Sequence, residues 1–219
     1  MGCDIHSFLE VRVDGAWVNQ SGTDEYGGPL RGPLEERNYE LFGLLAGVRS
    51  NNFRPLFEGR GLPEDRSPEA IAYNGWEHSH SFFTLAELLE IDLSEVSTVE
   101  TRMSLPDYVS WRAWGRERGE YPYSCWYWSN AEVKLTADEA DANIEDAQAA
   151  FTGSSNDFWA HYRQHLVPLW KSIEVCASFR RRATQVFAGA GGCVAMMFEA
   201  RNRHGVSAED VRVVFGFDS

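Results

Sequence analysis

The chain opens with a stretch, residues 2–13, in which apolar and polar residues alternate. Ile5, Leu9 and Val11 occupy one set of alternate positions. The other set is mainly polar and consists of Asp4, His6, Glu10 and Arg12, with Phe8 as its only large apolar member. Because successive side chains of a strand point to opposite faces, this pattern predicts a half-buried β-strand whose polar face carries Asp4 and His6.

Turn and capping residues predict the elements that follow. Asp14-Gly15 lies between apolar runs and predicts a tight hairpin. Residues 20–37 are rich in Gly, Pro, Ser and acidic residues, which predicts a long surface loop. A helix is expected over residues 38–45, with Asn38 as its cap and a glycine just after its end. A capping box, Thr84 with Glu87, predicts the start of another helix.

The second half of the chain predicts further helices and strands. Residues 121–129 (YPYSCWYWS) are strongly aromatic, which favours a strand or an edge ribbon. From Trp159 to Cys176 apolar residues recur three and four apart, which predicts an amphipathic core helix with a kink near Pro168. Short apolar runs over residues 193–198 and 211–217 predict two strands.

Together these elements predict an α+β fold, with one domain over residues 1–219. The sheet is expected to be mixed or mainly antiparallel, formed by the N- and C-terminal strands and packed against several helices. Residues from about 100 to 205 are expected to form a helical and aromatic insertion.

Several segments of the sequence resemble a family of uncharacterised phage- and prophage-encoded proteins. The segments are MGCDIH at the start, RNYELF (37–42), LAGVR (45–49), RGLPED (60–65), HSHS (78–81) and the closing VRVVFGFD (211–218). The resemblance covers the first ninety or so residues and the last strand. It implies a phage setting, and it implies no particular chemistry.

Composition narrows the range of partners. The 20 basic and 33 acidic residues give a net charge of −13, which opposes binding to the phosphates of duplex nucleic acid.

With 43% hydrophobic and 24% charged residues, and no apolar run approaching ~20 residues, no membrane span is expected. The start lacks the basic and apolar regions of a signal peptide, so we expect the cytoplasm of a bacterial host. Four widely spaced cysteines predict buried thiols rather than a zinc site.

Four residues have the chemistry of metal ligands: Asp4, His6, His78 and His80. An Asp-x-His on a first strand is how some metallophosphoesterases begin, but the Gly-Asn-His-Glu stretch and the second aspartate motif of those enzymes do not follow. We therefore expect no resident cofactor, with a divalent ion on these four residues as the alternative. His161 and His165 lie four apart on a predicted helix, and a solvated helix face is the preferred interpretation there.

A second group of residues has the chemistry of phosphate binding. Arg37, Arg49 and Arg60 supply guanidinium groups, which grip phosphate through two parallel hydrogen bonds. His78 and His80 are nearby in sequence, and Tyr39, Trp76 and Phe82 supply aromatic faces on which a base can stack. The predicted ligand site therefore comprises eight residues: Asp4, His6, Arg37, Tyr39, Arg49, Arg60, His78 and His80.

Three functional hypotheses follow. The first is a phage-type accessory protein that binds a small phosphate-bearing, nucleotide-like molecule. In this hypothesis the molecule is a signal of host defence, and the protein sequesters it. The second is a metal-dependent phosphoesterase that acts on the same kind of molecule through Asp4 and the histidines. The third is an acidic inhibitor of a host protein. We favour binding over catalysis; the ligand and the oligomeric state stay open.

Overall fold

The structure is a computed structural model that describes residues 2–115, 131–166 and 173–218. In chain order its elements are β1 (Ile5–Val13), β2 (Ala16–Asn19), α1 (Tyr39–Ala46), α2 (Pro68–Ala72), β3 (His78–Thr84), α3 (Leu85–Glu90), β4 (Val96–Ser104), α4 (Leu105–Ser110), β5 (Val133–Thr136), α5 (Ala137–Ala150), α6 (Ser155–Leu166), β6 (Ile173–Arg182), α7 (Ala183–Phe187), α8 (Gly191–His204) and β7 (Val211–Phe217). None of the helices in these ranges combines the length and apolar character needed to cross a bilayer.

The chain divides into two compact units. The first contains residues 1–97 and 182–219, and the second contains residues 98–181. The second unit is thus inserted into the sequence of the first. The insertion expected from about residue 100 to 205 begins at nearly the same place, but Arg182 and the residues after it belong to the first unit.

The first unit is built on an antiparallel sheet with the strand order β2-β1-β7-β3. The N-terminal strand pairs with the C-terminal one from Ile5 opposite Phe217 to Val11 opposite Val211. This confirms the predicted α+β fold in which the first and last strands share a mainly antiparallel sheet. The predicted hairpin is also present, and its turn residues Asp14 and Gly15 have φ of 50° and 84°.

One face of this sheet packs against α1, α3 and α8 to form the core of the first unit. Apolar residues of β1 and β7 lie on this face, among them Leu9 and Val213, which are directly opposite each other. They pack in one cluster with Phe42 of α1 and Met197 of α8. Asn38 caps α1 through a hydrogen bond from the Leu41 N–H, as predicted.

The opposite face is not the solvated face that the alternation predicted. Phe8 and Glu10 lie on it, and both are fully buried. The rings of Tyr73 and Trp76 cover Phe8, each with its centroid 5.6 Å from the Phe8 centroid. The predicted half-buried strand is thus wrong at Phe8 and Glu10, because a segment distant in sequence covers them, whereas His6 and Arg12 on the same face keep part of their exposure. Asp4 and His6, at the end of the strand, keep part of their exposure.

Hydrogen bonds around a buried ion pair, Glu10 with Arg212, hold this covered face together. Arg212 donates from Nε to Glu10 Oε2 at 2.7 Å and from Nη1 to Asp65 at 2.9 Å. The other Glu10 oxygen accepts the backbone N–H of Ser67 at 2.7 Å. Trp17 stacks on the Arg212 guanidinium at 3.8 Å, so the buried cation is enclosed by anions and an aromatic ring.

The second unit contains a three-stranded sheet of order β4-β6-β5, in which β5 and β6 are parallel. Its core includes Met103, Tyr108, Ile144, Phe158 and Val175. A capping box formed by Thr136 and Glu139 starts α5, and the helix ends at Ala150.

Two predicted elements were assigned to the wrong class. The helix expected from Trp159 to Cys176 ends at Leu166, and Ile173–Cys176 instead begins β6. In β6 the buried apolar residues are Val175 and Ala177 while Cys176 is exposed, so period two applies there, and the helical spacing was coincidental only for Ile173 and Cys176.

The strand predicted over residues 193–198 is part of the helix α8. Cys193, Met197 and Ala200 are its buried residues, spaced four and three apart, and Gly205 ends it in the left-handed conformation. A short apolar run does not distinguish helix from strand, and here the helical packing prevails. The strand predicted at 121–129 and the kink at Pro168 lie outside the described residues.

The buried network predicts unequal effects of two nearby substitutions. Glu10→Ala leaves Arg212 without its buried carboxylate, and we expect unfolding free energy to fall by about 3–5 kcal/mol. Arg12→Ala, on the same face of β1, removes a partly exposed pair with Asp210 and a contact with the Trp17 ring at 5.4 Å, and it should cost about 1 kcal/mol. Urea denaturation of both variants measures the difference. Losses of equal size would show that the Glu10 network is not a structural core.

Candidate functional site

Five of the eight predicted site residues meet at the N-terminal segment. Arg37 forms a fork on Asp4, donating from Nε to Oδ1 at 2.7 Å and from Nη2 to Oδ2 at 2.6 Å. Arg49 donates to the carbonyl of Gly2 at 3.3 Å. The Tyr39 hydroxyl accepts the Cys3 N–H at 3.3 Å. We call the set Asp4, His6, Arg37, Tyr39 and Arg49 the N-terminal site.

Asp218, which the sequence analysis did not assign, connects this site to the end of the last strand. Its Oδ1 accepts the Asp4 N–H at 2.8 Å, and its Oδ2 lies 3.1 Å from His6 Nε2. Its own N–H donates to the Asp4 carbonyl at 3.2 Å. The available signal was the strand pattern, because antiparallel pairing of the first and last strands brings residue 218 beside residue 4.

These contacts lower the pKa of the Asp218 carboxyl. Burial alone would raise its pKa, but hydrogen bonds from His6 and from the Asp4 N–H outweigh burial, with the Arg37 charge adding to them, and the pKa lies below its usual range. At the neighbouring Arg37, the hydrogen bond and charge of Asp4 raise the guanidinium pKa. Both groups therefore stay ionised at neutral pH.

A cavity of about 380 Å³ opens beside Asp4 and His6. The loop over residues 20–37 forms much of its wall, and Tyr73 forms another part. Its side chains are acidic and aromatic, and they include Asp4, His6, Asp24, Tyr26, Glu35 and Tyr73. Asp24 shapes the loop, since its Oδ1 accepts the N–H groups of Tyr26 and Gly28. The predicted long loop is thus an ordered part of the site.

The other three predicted residues lie elsewhere in the first unit. Arg60 donates to Glu87 at 2.7 Å and to the Phe82 carbonyl at 3.1 Å, beside the start of α3. His78 lies 3.0 Å from the Ser79 hydroxyl and stacks on Phe217. None of these contacts involves the N-terminal site.

His80 is linked to His6 through a row of rings on the covered face of the sheet. Ring centroids are 5.6 Å apart for His6 and Tyr73, 5.0 Å for Tyr73 and Trp76, and 6.4 Å for Trp76 and His80. Gly216 is paired with His6, and a Cβ at Gly216 would be 2.8 Å from Trp76 and 2.9 Å from His80. Burial first, then the nearby His78, lowers the pKa of His80.

The four candidate metal ligands are therefore not gathered into one centre. Across residues 2–115, 131–166 and 173–218, no three His, Cys, Asp or Glu side chains are grouped closely enough to hold a metal ion. The His161 side chain is exposed and lies against Phe151, while that of His165 is outside the described part. The expectation of no resident cofactor stays a prediction.

Comparison of the chain with models of protein families, with curated proteins and with solved structures gives no match. The resemblance to phage proteins thus stays a prediction, and the function has to be argued from the geometry of the site.

The lowered pKa of Asp218 predicts a pH dependence of stability. A carboxyl whose pKa is depressed by folding adds stability above its unfolded pKa, and that contribution is lost as pH falls through the folded value. Asp218→Asn should therefore destabilise the protein at pH 7, and the difference from the parent should shrink toward pH 3. Glu90→Gln, at an exposed position of α3, is the control. Thermal unfolding of the parent and the variants between pH 7 and pH 3 tests this prediction. A stability difference between Asp218→Asn and the parent that does not change with pH would contradict it.

Proposed function

We propose that the protein binds a small phosphate-bearing, nucleotide-like molecule at the N-terminal site. The observation that carries the proposal is the convergence of Arg37 and Arg49, from two different parts of the chain, on residues 2–4 beside the cavity. Two guanidinium groups on one short segment are suited to a phosphate group, and Asp4 of that segment lines the cavity although neither arginine does.

Arg37 is available for exchange. Its side chain is 47% exposed and that of Asp4 is 49% exposed, so water screens their ion pair. A phosphate group offers the same fork geometry with greater charge, and it therefore competes well for Arg37. Asp4 thus pairs with the Arg37 guanidinium, and the phosphate of the ligand replaces it there.

The backbone at Arg49 supports a functional role for this residue. Its φ is 63°, a left-handed conformation that a non-glycine side chain seldom adopts and that is enriched at binding sites. It follows the left-handed Gly47 that ends α1, and together these residues turn the chain back toward Gly2.

The cavity suits the remainder of such a ligand. Tyr26 and Tyr73 offer ring faces for a base, and Asp24 and Glu35 offer carboxylates that accept hydrogen bonds from amino and hydroxyl groups. The same carboxylates repel phosphate, so the ligand would orient with its phosphate at Arg37 and Arg49. A volume of about 380 Å³ is at the lower end of ordinary ligand sites, which favours a mononucleotide-sized molecule.

In a phage setting, binding of this kind without turnover would sequester a nucleotide signal of host defence. The surplus of acidic residues supports a small ligand over a nucleic acid polymer, because the overall charge of −13 repels a polyanion while local arginines still hold one phosphate.

A thermal-shift screen with mono-, di- and cyclic nucleotides tests the proposal. A ligand at 100 times its dissociation constant stabilises the native state by about 2.7 kcal/mol, which is several degrees in Tm. Arg37→Lys should weaken binding about tenfold although charge is kept, because the fork is lost. Arg60→Lys, an equal change at a predicted residue away from the site, should leave the shift unaltered.

The pattern of outcomes separates the hypotheses. Equal weakening by Arg37→Lys and Arg60→Lys would show that charge alone, and not the N-terminal site, binds the nucleotide. No shift from any nucleotide, with a stable complex recovered from host lysate, would leave the protein-inhibitor hypothesis in place of ours.

The hydrogen bond between His6 and Asp218 favours one second candidate, a phosphoesterase. A carboxylate on one imidazole nitrogen orients the ring and makes the other nitrogen a better general base, and His6 borders the cavity. Asp4, which lines the same cavity, would then supply a carboxylate to a divalent ion carried in with the nucleotide.

Chromatography of nucleotide recovered after incubation, with and without added Mn²⁺, decides between binding and catalysis. Unchanged nucleotide supports sequestration. Conversion that falls about a hundredfold or more in His6→Gln, with the thermal shift retained, would establish catalysis by His6. Conversion that is equal in the parent and in His6→Gln would mean a contaminating activity.

A further inference from the structure

The second unit contains a cavity of its own, about 630 Å³, on one face of the sheet β4-β6-β5. The opposite face of that sheet carries Val99, Met103 and Val175, which belong to the buried core. The cavity face is polar, and the side chains that line it include Glu100, Arg102, Thr136, Asp138, Cys176 and Ser178.

Glu174 lies behind the lining of this cavity and does not itself line it. It is completely buried, yet within the described part of the chain its Oε2 has no hydrogen-bond partner. Its Oε1 lies 3.8 Å from Arg102 Nε and 4.0 Å from Cys176 Sγ, so two residues that line the cavity touch this carboxylate. Alternation along β6 places Glu174 on the same face as Cys176 and Ser178.

A carboxylate in this state favours a cationic partner. Burying an ion costs several kcal/mol unless hydrogen bonds and opposite charge compensate. The contact to Arg102 is longer than a hydrogen bond, and the Arg102 side chain is 61% exposed, so it compensates weakly. Lys134, in register with Glu174, is exposed on the neighbouring strand.

The surroundings disfavour an anion and a metal ion. Glu100 and Asp138 add negative charge at the cavity, and the start of α5 is already capped by the Thr136 hydroxyl and the Glu139 carboxylate. Hydrogen bonds from Thr136 lower the pKa of Glu139, which keeps that cap ionised. Among the residues described in this unit, no three carboxylate, thiol or imidazole groups form a metal cluster.

We infer that this cavity binds a small organic cation, such as a linear polyamine, whose ammonium group replaces Arg102 at Glu174. The ammonium donates to the unpartnered Oε2, as a charged hydrogen bond of the kind that contributes most to binding. Glu100 and Asp138 receive the second amino group, and Thr136 and Ser178 provide hydroxyls along the cavity. This site is separate from the nucleotide site proposed in the first unit.

Calorimetric titration of the full chain with spermidine at 150 mM salt tests the inference, because exposed charges are largely screened there. Glu174→Gln should weaken binding about tenfold or more. Glu145→Gln removes the same charge from an exposed position of α5 and should leave the affinity unchanged. Arg102→Ala should strengthen binding, since it removes the competing cation. No binding by the parent protein, or equal weakening by Glu174→Gln and Glu145→Gln, would overturn the inference.

A second measurement does not depend on a variant that folds. Cys176 is an exposed thiol that lines the cavity, so bound spermidine should slow its alkylation by iodoacetamide severalfold. Mass spectrometry of the peptide that contains Cys176 follows this reaction alone. Inorganic phosphate should give no protection. An alkylation rate that spermidine leaves unchanged, or that phosphate lowers as much, would contradict a cation site.

Discussion

The antiparallel pairing of β1 with β7 is the constraint on which the first unit depends. Every residue of β7 is buried, and its backbone groups are satisfied between β1 and β3. The buried pair Glu10 and Arg212 also specifies the register. A slip of one residue would turn Arg212 toward the apolar core and separate it from its carboxylate, at a cost of several kcal/mol.

The candidate site is a direct consequence of this register. Asp218 follows the last residue of β7 and is therefore brought against Asp4 and His6, although more than 200 residues separate them in the chain. A carboxylate paired with a guanidinium group occurs near each end of β1, and the two pairs differ in burial. Glu10 and Arg212 are enclosed and stabilise the fold, whereas Asp4 and Arg37 are half-exposed and can exchange partners.

The two fully buried glutamates Glu10 and Glu174 differ in how their carboxylate oxygens are hydrogen-bonded. Both oxygens of Glu10 accept close hydrogen bonds, from Ser67 and Arg212. Glu174 has one oxygen at ion-pair distance from an exposed arginine and one with no partner. The Glu10 carboxylate is therefore satisfied by the fold, although Arg212 Nη2 has no partner within the described residues. The second oxygen of Glu174 carries a desolvation cost that no hydrogen bond from the described residues offsets.

Local signals in the sequence determined the elements whose causes are local. The hairpin at Asp14-Gly15, the cap at Asn38 and the capping boxes at Thr84 and Thr136 each depend on residues within a few positions of one another. The N-terminal cluster was predicted in part, since the residue types of Asp4, His6, Arg37, Tyr39 and Arg49 indicate their chemistry.

Only the tertiary structure decided which residues of that chemistry meet. Arg60 and His80 have the same chemistry as Arg37 and His6, and their separation from the N-terminal site follows from strand order, which no local pattern encodes. The segment that covers Phe8, the helix at 191–204 and the position of Asp218 were likewise set by packing between distant parts of the chain. Short apolar runs and single polar residues are compatible with several environments, and long-range contacts select one.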